Sequence, residues 1–145
     1  MGQSIADPDA LAGIAANRAV LSKIAAGAIP ATRADAWNPG GWVMRTHPDL
    51  TELLEGVAPG DVRIVQGMTV LLDAADRVYG VGAGMSMVWL RIPSGPALDD
   101  AIAGGEASAV DELPSWVGVD GWRVDIGAWV RASAALTREL VAADA

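Results

Sequence analysis

The residue with the clearest chemical potential in this chain is its only histidine. His47 stands in the segment Thr46-His-Pro-Asp-Leu50. A histidine side chain titrates near neutral pH, which suits acid–base catalysis. However, the chain has no cysteine and no Gly-x-Ser-x-Gly segment that would supply a nucleophile beside it. A His-Pro step before a helical pattern is typical of a helix start, so we expect Thr46 or His47 to cap a helix.

Two acidic pairs suggest acid–base catalysis, and a glycine-rich segment suggests phosphate binding, but the neighbouring residues argue against both. The pairs Asp99-Asp100 and Asp111-Glu112 could act as acid and base only if one carboxyl group were desolvated, and they stand at a helix start and in an acidic loop. The segment Gly80-Val-Gly-Ala-Gly84 lacks Gly-x-Gly-x-x-Gly spacing, and a strand pattern follows it. It predicts a bend in a sheet. We therefore predict no catalytic residue, no metal site and no cofactor.

Two hypotheses remain for function, and the six tryptophans bear on both. Trp37 and Trp42 flank the turn formed by residues 38–41, and Trp122 lies in a second turn. Tryptophan usually packs in a core, but in a turn it can anchor a protein interface. These three residues are candidates for contact with a protein partner or a second copy of the chain. The alternative is a small-molecule-binding protein, or an enzyme of a class without a sequence signature, with a pocket between sheet and helices. Its polar handle would be His47 or Arg91, and its walls Met85, Met87, Trp89 and Trp116.

Composition narrows the class of partner. The chain has 145 residues, a net charge of −8 and a single lysine. Nucleic-acid binding depends on many basic side chains, so direct binding of DNA or RNA is disfavoured. Apolar runs are too short for a membrane span, and the first residues do not resemble a signal peptide. We expect a cytoplasmic protein that contacts no membrane.

The elements that must position these residues are predicted as one α+β domain over residues 1–145, with a disordered tail at residues 1–7. An antiparallel meander of four to five strands packs against N-terminal and C-terminal helices in two layers. The region of residues 106–114 is expected to be irregular. The predicted helices span 8–27, 48–56, 97–103 and 125–141, and the strands span 62–66, 68–72, 78–81, 85–92 and 115–120, with a further short strand possible at 42–45.

Five segments follow one another in a recognisable order, and they are Gln66-Gly-Met68, Asp76-Arg-Val-Tyr-Gly80, Val88-Trp-Leu-Arg-Ile-Pro93, Gly104-Gly105 and Trp116-Val-Gly-Val-Asp120. With the elements around them, they resemble the small α+β domains of the TfoX N-terminal and MmcQ/YjbR-like type over residues 58–143. TfoX-like domains are associated with regulation of competence genes through partners, and MmcQ/YjbR-like domains mostly lack an assigned activity. The resemblance therefore implies a non-enzymatic regulatory or interaction domain without a catalytic set.

Overall fold

The structure is a computed structural model that describes residues 4–26, 45–92, 96–110 and 113–144. Trp37 and Trp42, and the short strand expected at residues 42–45 except Arg45, lie outside these ranges. The strands are β1 (Ser4–Ile5), β2 (Asp61–Val65), β3 (Met68–Leu72), β4 (Val78–Ala83), β5 (Met87–Arg91), β6 (Ala107–Val110) and β7 (Leu113–Asp120). The helices are α1 (Pro8–Ala12), a 3₁₀ turn (Ala15–Asn17), α2 (Arg18–Ala26), α3 (Pro48–Val57), α4 (Pro96–Ala103) and α5 (Ile126–Asp144).

The described strands form one sheet in the order β1-β2-β3-β4-β5-β7-β6. All neighbours are antiparallel except β1 and β2. This confirms the predicted α+β class, with six antiparallel strands where four to five were expected. Ser4 and Ile5, expected in a disordered tail, instead pair with Arg63 and Ile64 of β2. Strand β7 lies between β5 and β6, which are joined by α4.

Helices cover both faces of the sheet, so the sheet is the middle of three layers and not one of two. The reason is visible in β3, where every residue is buried. Val70 and Leu72 pack with the core of α1 and α2, whereas Leu71 faces the opposite way and packs with the core of α3 and α5. A strand that is apolar on both sides needs a cover on both sides.

The helix predicted over residues 8–27 is broken into two helices and a 3₁₀ turn. Its start is confirmed, because the Asp7 carboxylate accepts a hydrogen bond from the Asp9 N–H at 2.9 Å. The break accommodates Asn17, which is fully buried. Its Nδ2 donates to the carbonyls of Leu11 at 3.1 Å and Asp76 at 2.9 Å, and its Oδ1 accepts from Val78 N at 2.7 Å. One amide thus ties the helices to the turn before β4.

The segment predicted as irregular contains strand β6, and this prediction is wrong. Ala107–Val110 pair with β7 in antiparallel register. Small residues such as alanine and serine have little preference for strands. Pairing with β7, a contact between segments, therefore decides the conformation.

Gly80 and Gly82, predicted to form a bend, lie within β4 and pair with both neighbouring strands. Gly82 faces α3, where an added Cβ would come within 2.8 Å of Leu54 Cδ1 and 3.1 Å of Thr46 Cγ2. The missing side chain lets the helix approach the sheet. Gly84, with φ of +62°, begins the turn into β5.

Helix α5 takes over a hydrogen-bonding role where β4 and β5 diverge. The buried Ser133 hydroxyl donates to Tyr79 O at 2.7 Å and accepts from Arg91 N at 2.9 Å. These backbone groups belong to neighbouring strands, so a side chain replaces a direct bond between them. None of the described helices is long and apolar enough to cross a membrane.

Candidate functional site

Arg91, predicted as a polar handle, lies inside the protein and binds backbone carbonyls. Its side chain donates to Val78 O at 2.7 Å and Ala16 O at 2.6 Å. The guanidinium carbon lies 4.6 Å from the centroid of the Trp116 ring, a cation–π contact. Burial lowers the pKa of Arg91 to about 10, while the Asp73 charge acts to raise it and the Arg77 charge to lower it. Arg91 stays charged at neutral pH and joins the 3₁₀ turn to the sheet.

His47 forms the N-cap of α3, as one of the two predicted caps. Its Nδ1 accepts a hydrogen bond from the Asp49 N–H at 3.1 Å, and its backbone N–H donates to Gly84 O at 2.8 Å. The side chain is 22 % exposed. His47 therefore fixes the start of α3 against the turn between β4 and β5.

Three of the predicted site residues are exposed in or next to that turn and the turn after β7. Met85, Met87 and Trp122 are 65 %, 38 % and 54 % exposed. The Trp122 indole N–H donates to Met85 O at 2.8 Å, and the Gly121 N–H donates to Ser86 O at 2.8 Å. The turn after β7 is thus clamped to the turn after β4. We call Met85, Met87 and Trp122 the Met–Trp patch.

Trp89 and Trp116 do not join this patch. Trp116 is buried, and Trp89 is half-buried against the core under α1 and α2. The predicted pocket residues are therefore divided between the interior and the surface. They do not converge on one cavity.

A cavity of about 590 Å³ opens at the other end of β4, and the sequence did not predict it. It draws on the turn before β2, the turn between β3 and β4, and helix α5, which are distant in the chain. We call it the Tyr79 pocket. Its lining residues are Pro59, Gly60, Asp61, Asp73, Ala74, Asp76, Tyr79, Arg131 and Ala134.

Tyr79 is the unusual residue of this pocket. Its side chain is fully buried, and its hydroxyl has no hydrogen-bond partner among the described residues. Burial raises the pKa of Tyr79 to about 12; the Gly60 N–H, which lies outside hydrogen-bonding geometry, opposes this rise and the Asp73 charge adds to it. An unpaired buried hydroxyl costs about 1–3 kcal/mol. The hydroxyl is protonated at neutral pH and available to donate.

The Asp73 carboxylate makes its hydrogen bonds within the turn between β3 and β4. Its Oδ1 accepts from the N–H groups of Ala75 at 2.9 Å and Arg77 at 3.0 Å, and its Oδ2 accepts from Arg77 Nε at 2.7 Å. Burial alone would raise the pKa of Asp73, but these bonds and the Arg77 charge lower it below its ordinary value. This carboxylate is therefore structural.

The other charged groups of the pocket fall into two kinds. Asp61 is paired with Arg63 at 3.2 Å. Asp76 and Arg131 make no side-chain hydrogen bond or ion pair with any described residue. Over the described part of the chain, no three His, Asp or Glu side chains are placed to hold a metal ion. The pocket thus presents one exposed carboxylate and one exposed guanidinium that have no side-chain partner among the described residues.

Comparison with protein-family models, curated proteins and solved structures finds no match for this chain. The resemblance to TfoX-like and MmcQ/YjbR-like domains therefore remains a prediction from the sequence. Function has to be inferred from the two regions at the ends of β4.

Proposed function

We propose that the protein is a non-enzymatic regulatory or protein-interaction domain of the cytoplasm, and that it binds a partner protein through the Met–Trp patch. The observation that carries this proposal is the exposure of Met85 and Trp122 on two turns that are hydrogen-bonded to each other, with Met87 exposed at the start of β5. Tryptophan is enriched among residues that dominate binding energy. Methionine adapts its shape to an apolar partner.

The charges beside the patch favour a partner over a second copy. Asp49, two residues after the histidine whose N–H binds Gly84 O, has a side chain that is 74 % exposed. The Asp120 carboxylate accepts a hydrogen bond from the Trp122 backbone N–H. Asp125 is exposed, and Arg123 supplies one opposing charge. Two chains of net charge −8 repel each other. The chemistry fits an apolar anchor flanked by lysine or arginine on another protein. The resemblance to TfoX-like domains suggests a protein partner, without indicating its chemistry.

The experiment is selection of a displayed random-peptide library on the whole protein, followed by affinity measurement. We expect enrichment of peptides with a bulky apolar residue between basic residues. Trp122→Ala should weaken their binding about thirtyfold, the effect of losing one hot-spot side chain. The control is Ile102→Gln on α4, because Ile102 is an exposed apolar residue outside the patch.

Three outcomes would contradict the proposal. Equal binding of the selected peptides to Trp122→Ala and wild type would place recognition elsewhere. A selection without a common motif would contradict the proposed class of partner. A dimer in light scattering that Trp122→Ala dissociates would make a second copy the occupant of the patch.

The geometry supports the small-molecule alternative less well in its predicted form. Arg91 and Trp116 are packed in the interior, while Met85 and Met87 point outward. These residues therefore do not line one pocket.

A further inference from the structure

We propose that the Tyr79 pocket is a second site, independent of the Met–Trp patch, that binds a small zwitterion such as a free amino acid. Asp76 would contact the ammonium group, Arg131 the carboxylate, and the Tyr79 hydroxyl a ligand oxygen. This inference goes beyond the proposed interaction function and does not depend on it.

The Tyr79 hydroxyl is the first reason to place a ligand here. Buried polar groups in folded proteins almost always have a partner, and an exception calls for an explanation. Tyr79 has none among the described residues, and the residue lines a cavity. The hydroxyl itself exposes almost no surface, so a ligand atom would supply the missing bond once the atoms that cover the hydroxyl shift aside. Since the phenol stays protonated, it would donate to an oxygen.

The charge balance of the pocket gives the class of ligand. Asp61 is neutralised by Arg63, and Asp73 by Arg77. What remains is one negative group, Asp76, and one positive group, Arg131, which lie on different elements and do not pair with each other. A simple cation or a simple anion would satisfy only one of them. A zwitterion satisfies both.

The size and shape of the pocket agree with this class. A volume of about 590 Å³ lies within the range of small-molecule sites. Pro59, Ala74 and Ala134 supply apolar lining that could receive a side chain of the ligand. Among the described residues, no group of three His, Asp or Glu side chains is placed to hold a metal ion there.

Asp76 is also held in place before any ligand arrives. Its backbone has a φ of +58°, and its carbonyl accepts a hydrogen bond from the buried Asn17 amide. A fixed backbone lowers the ordering cost of binding.

The experiment is a titration of the whole protein, followed by amide NMR shifts and calorimetry, with the free L-amino acids as probes. Matched probes each remove one charge: the N-acetyl amino acids lack the ammonium, the amino-acid amides lack the carboxylate, and putrescine carries only positive charge. We expect at least one amino acid to bind, to shift the amide signals of residues 60–61 and 73–79, and to bind about tenfold more tightly than its N-acetyl and amide forms.

Variants test the three contacts. Tyr79→Phe, Asp76→Asn and Arg131→Gln should each weaken binding about tenfold. Tyr79→Phe should keep or raise the melting temperature, because it removes an unpaired hydroxyl; this separates a lost contact from a damaged fold. Asparagine tolerates positive φ at position 76. The control is Arg123→Gln, an exposed arginine at the other end of the sheet, which should bind like wild type.

Several results would overturn the inference. These are no binding by any amino acid at millimolar concentration, equal binding by the N-acetyl or amide forms, preference for putrescine, or affinity unchanged in Tyr79→Phe and Arg131→Gln. Failure here leaves the Met–Trp patch untouched. Conversely, Trp122→Ala should not change amino-acid binding.

Discussion

The two ends of strand β4 depart from the average protein surface in opposite ways. At the Ala83 end, polar groups are paired and large apolar side chains are exposed, as Trp122 and Met85 show. At the Val78 end, a half-open cavity is lined mostly by exposed residues, and the Tyr79 hydroxyl has no hydrogen-bond partner among the described residues. An exposed apolar patch is typical of a contact surface, and a buried polar atom without a partner calls for an explanation. The two proposals rest on this difference between the ends of one strand.

Each end is also fixed by one buried polar side chain. Asn17 makes three hydrogen bonds at the pocket end, and Thr46 makes two at the patch end. The larger number of bonds at Asn17 predicts that the free energy of unfolding depends more strongly on Asn17 at the pocket end than on Thr46 at the patch end.

The largest effect is expected for Asn17→Ala. The substitution removes all three bonds and leaves Val78 N–H buried without a partner, so the free energy of unfolding should fall by about 3 kcal/mol. Urea denaturation measures this loss. Asn17→Asp should not restore the stability, because it buries a carboxylate against the two carbonyl oxygens to which the amide donates. A loss below about 1 kcal/mol for Asn17→Ala would mean that the amide does not anchor this end.

A smaller effect is expected for Thr46→Val at the patch end. The Thr46 hydroxyl donates to Gly82 O at 2.6 Å and accepts from Thr69 N at 2.9 Å. Valine keeps the shape and loses both bonds, so unfolding should become easier by about 2 kcal/mol. The control is Thr51→Val, which removes only the bond to the Thr69 hydroxyl at 2.7 Å. If Thr46→Val costs more than Asn17→Ala, the proposed order of the two ends is wrong.

The smallest effect is expected for Asp73→Asn and depends on pH. Because the pKa of Asp73 is lowered in the folded state, its stabilising contribution is complete above the unfolded value and is lost as pH falls through the folded value. Wild-type stability should therefore decline below about pH 4. Asp73→Asn keeps an acceptor but loses the charge, so it should cost about 1 kcal/mol at neutral pH and show a shallower decline in acid.

The measurement is urea unfolding at a series of pH values from neutral to about pH 3. Asp61→Asn is the control, because that carboxylate is exposed and makes a single side-chain contact with Arg63. It should follow the wild-type curve. An acid decline that is equally steep in Asp73→Asn would assign the pH dependence to other groups.

Local signals in the sequence predicted those parts of the fold that depend on local chemistry. The helix start at Pro48 follows from the His-Pro step, and β3 and β4 follow from short apolar runs between turn residues. Strand β6 was missed because its small residues become a strand only by pairing with β7. The break in the first helix was not predicted because it depends on the hydrogen bond from the Val78 N–H to Asn17 Oδ1, and these two residues lie 61 positions apart in the chain.

The candidate sites likewise divide into residues that a local signal in the sequence identifies and residues that only the folded chain brings together. Trp122 could be singled out because a tryptophan in a turn is a local signal, and it is indeed exposed. The role of Arg91 could not be predicted, since an arginine in a strand can point to solvent or into the core. The Tyr79 pocket left no local trace. Tyr79, Asp76 and Arg131 become related only when the turn after β3 and helix α5 meet.

The position of β7 between β5 and β6 also constrains when the sheet can be completed during synthesis. The chain makes β5, α4 and β6 first, and each strand borders a gap that only residues 113–120 fill. Until those residues leave the ribosome, the edge of β5 is an open template for pairing with another chain. Chains that stop before Leu113 should therefore aggregate through that edge, and chains that extend past Asp120 escape this by inserting β7 between β5 and β6.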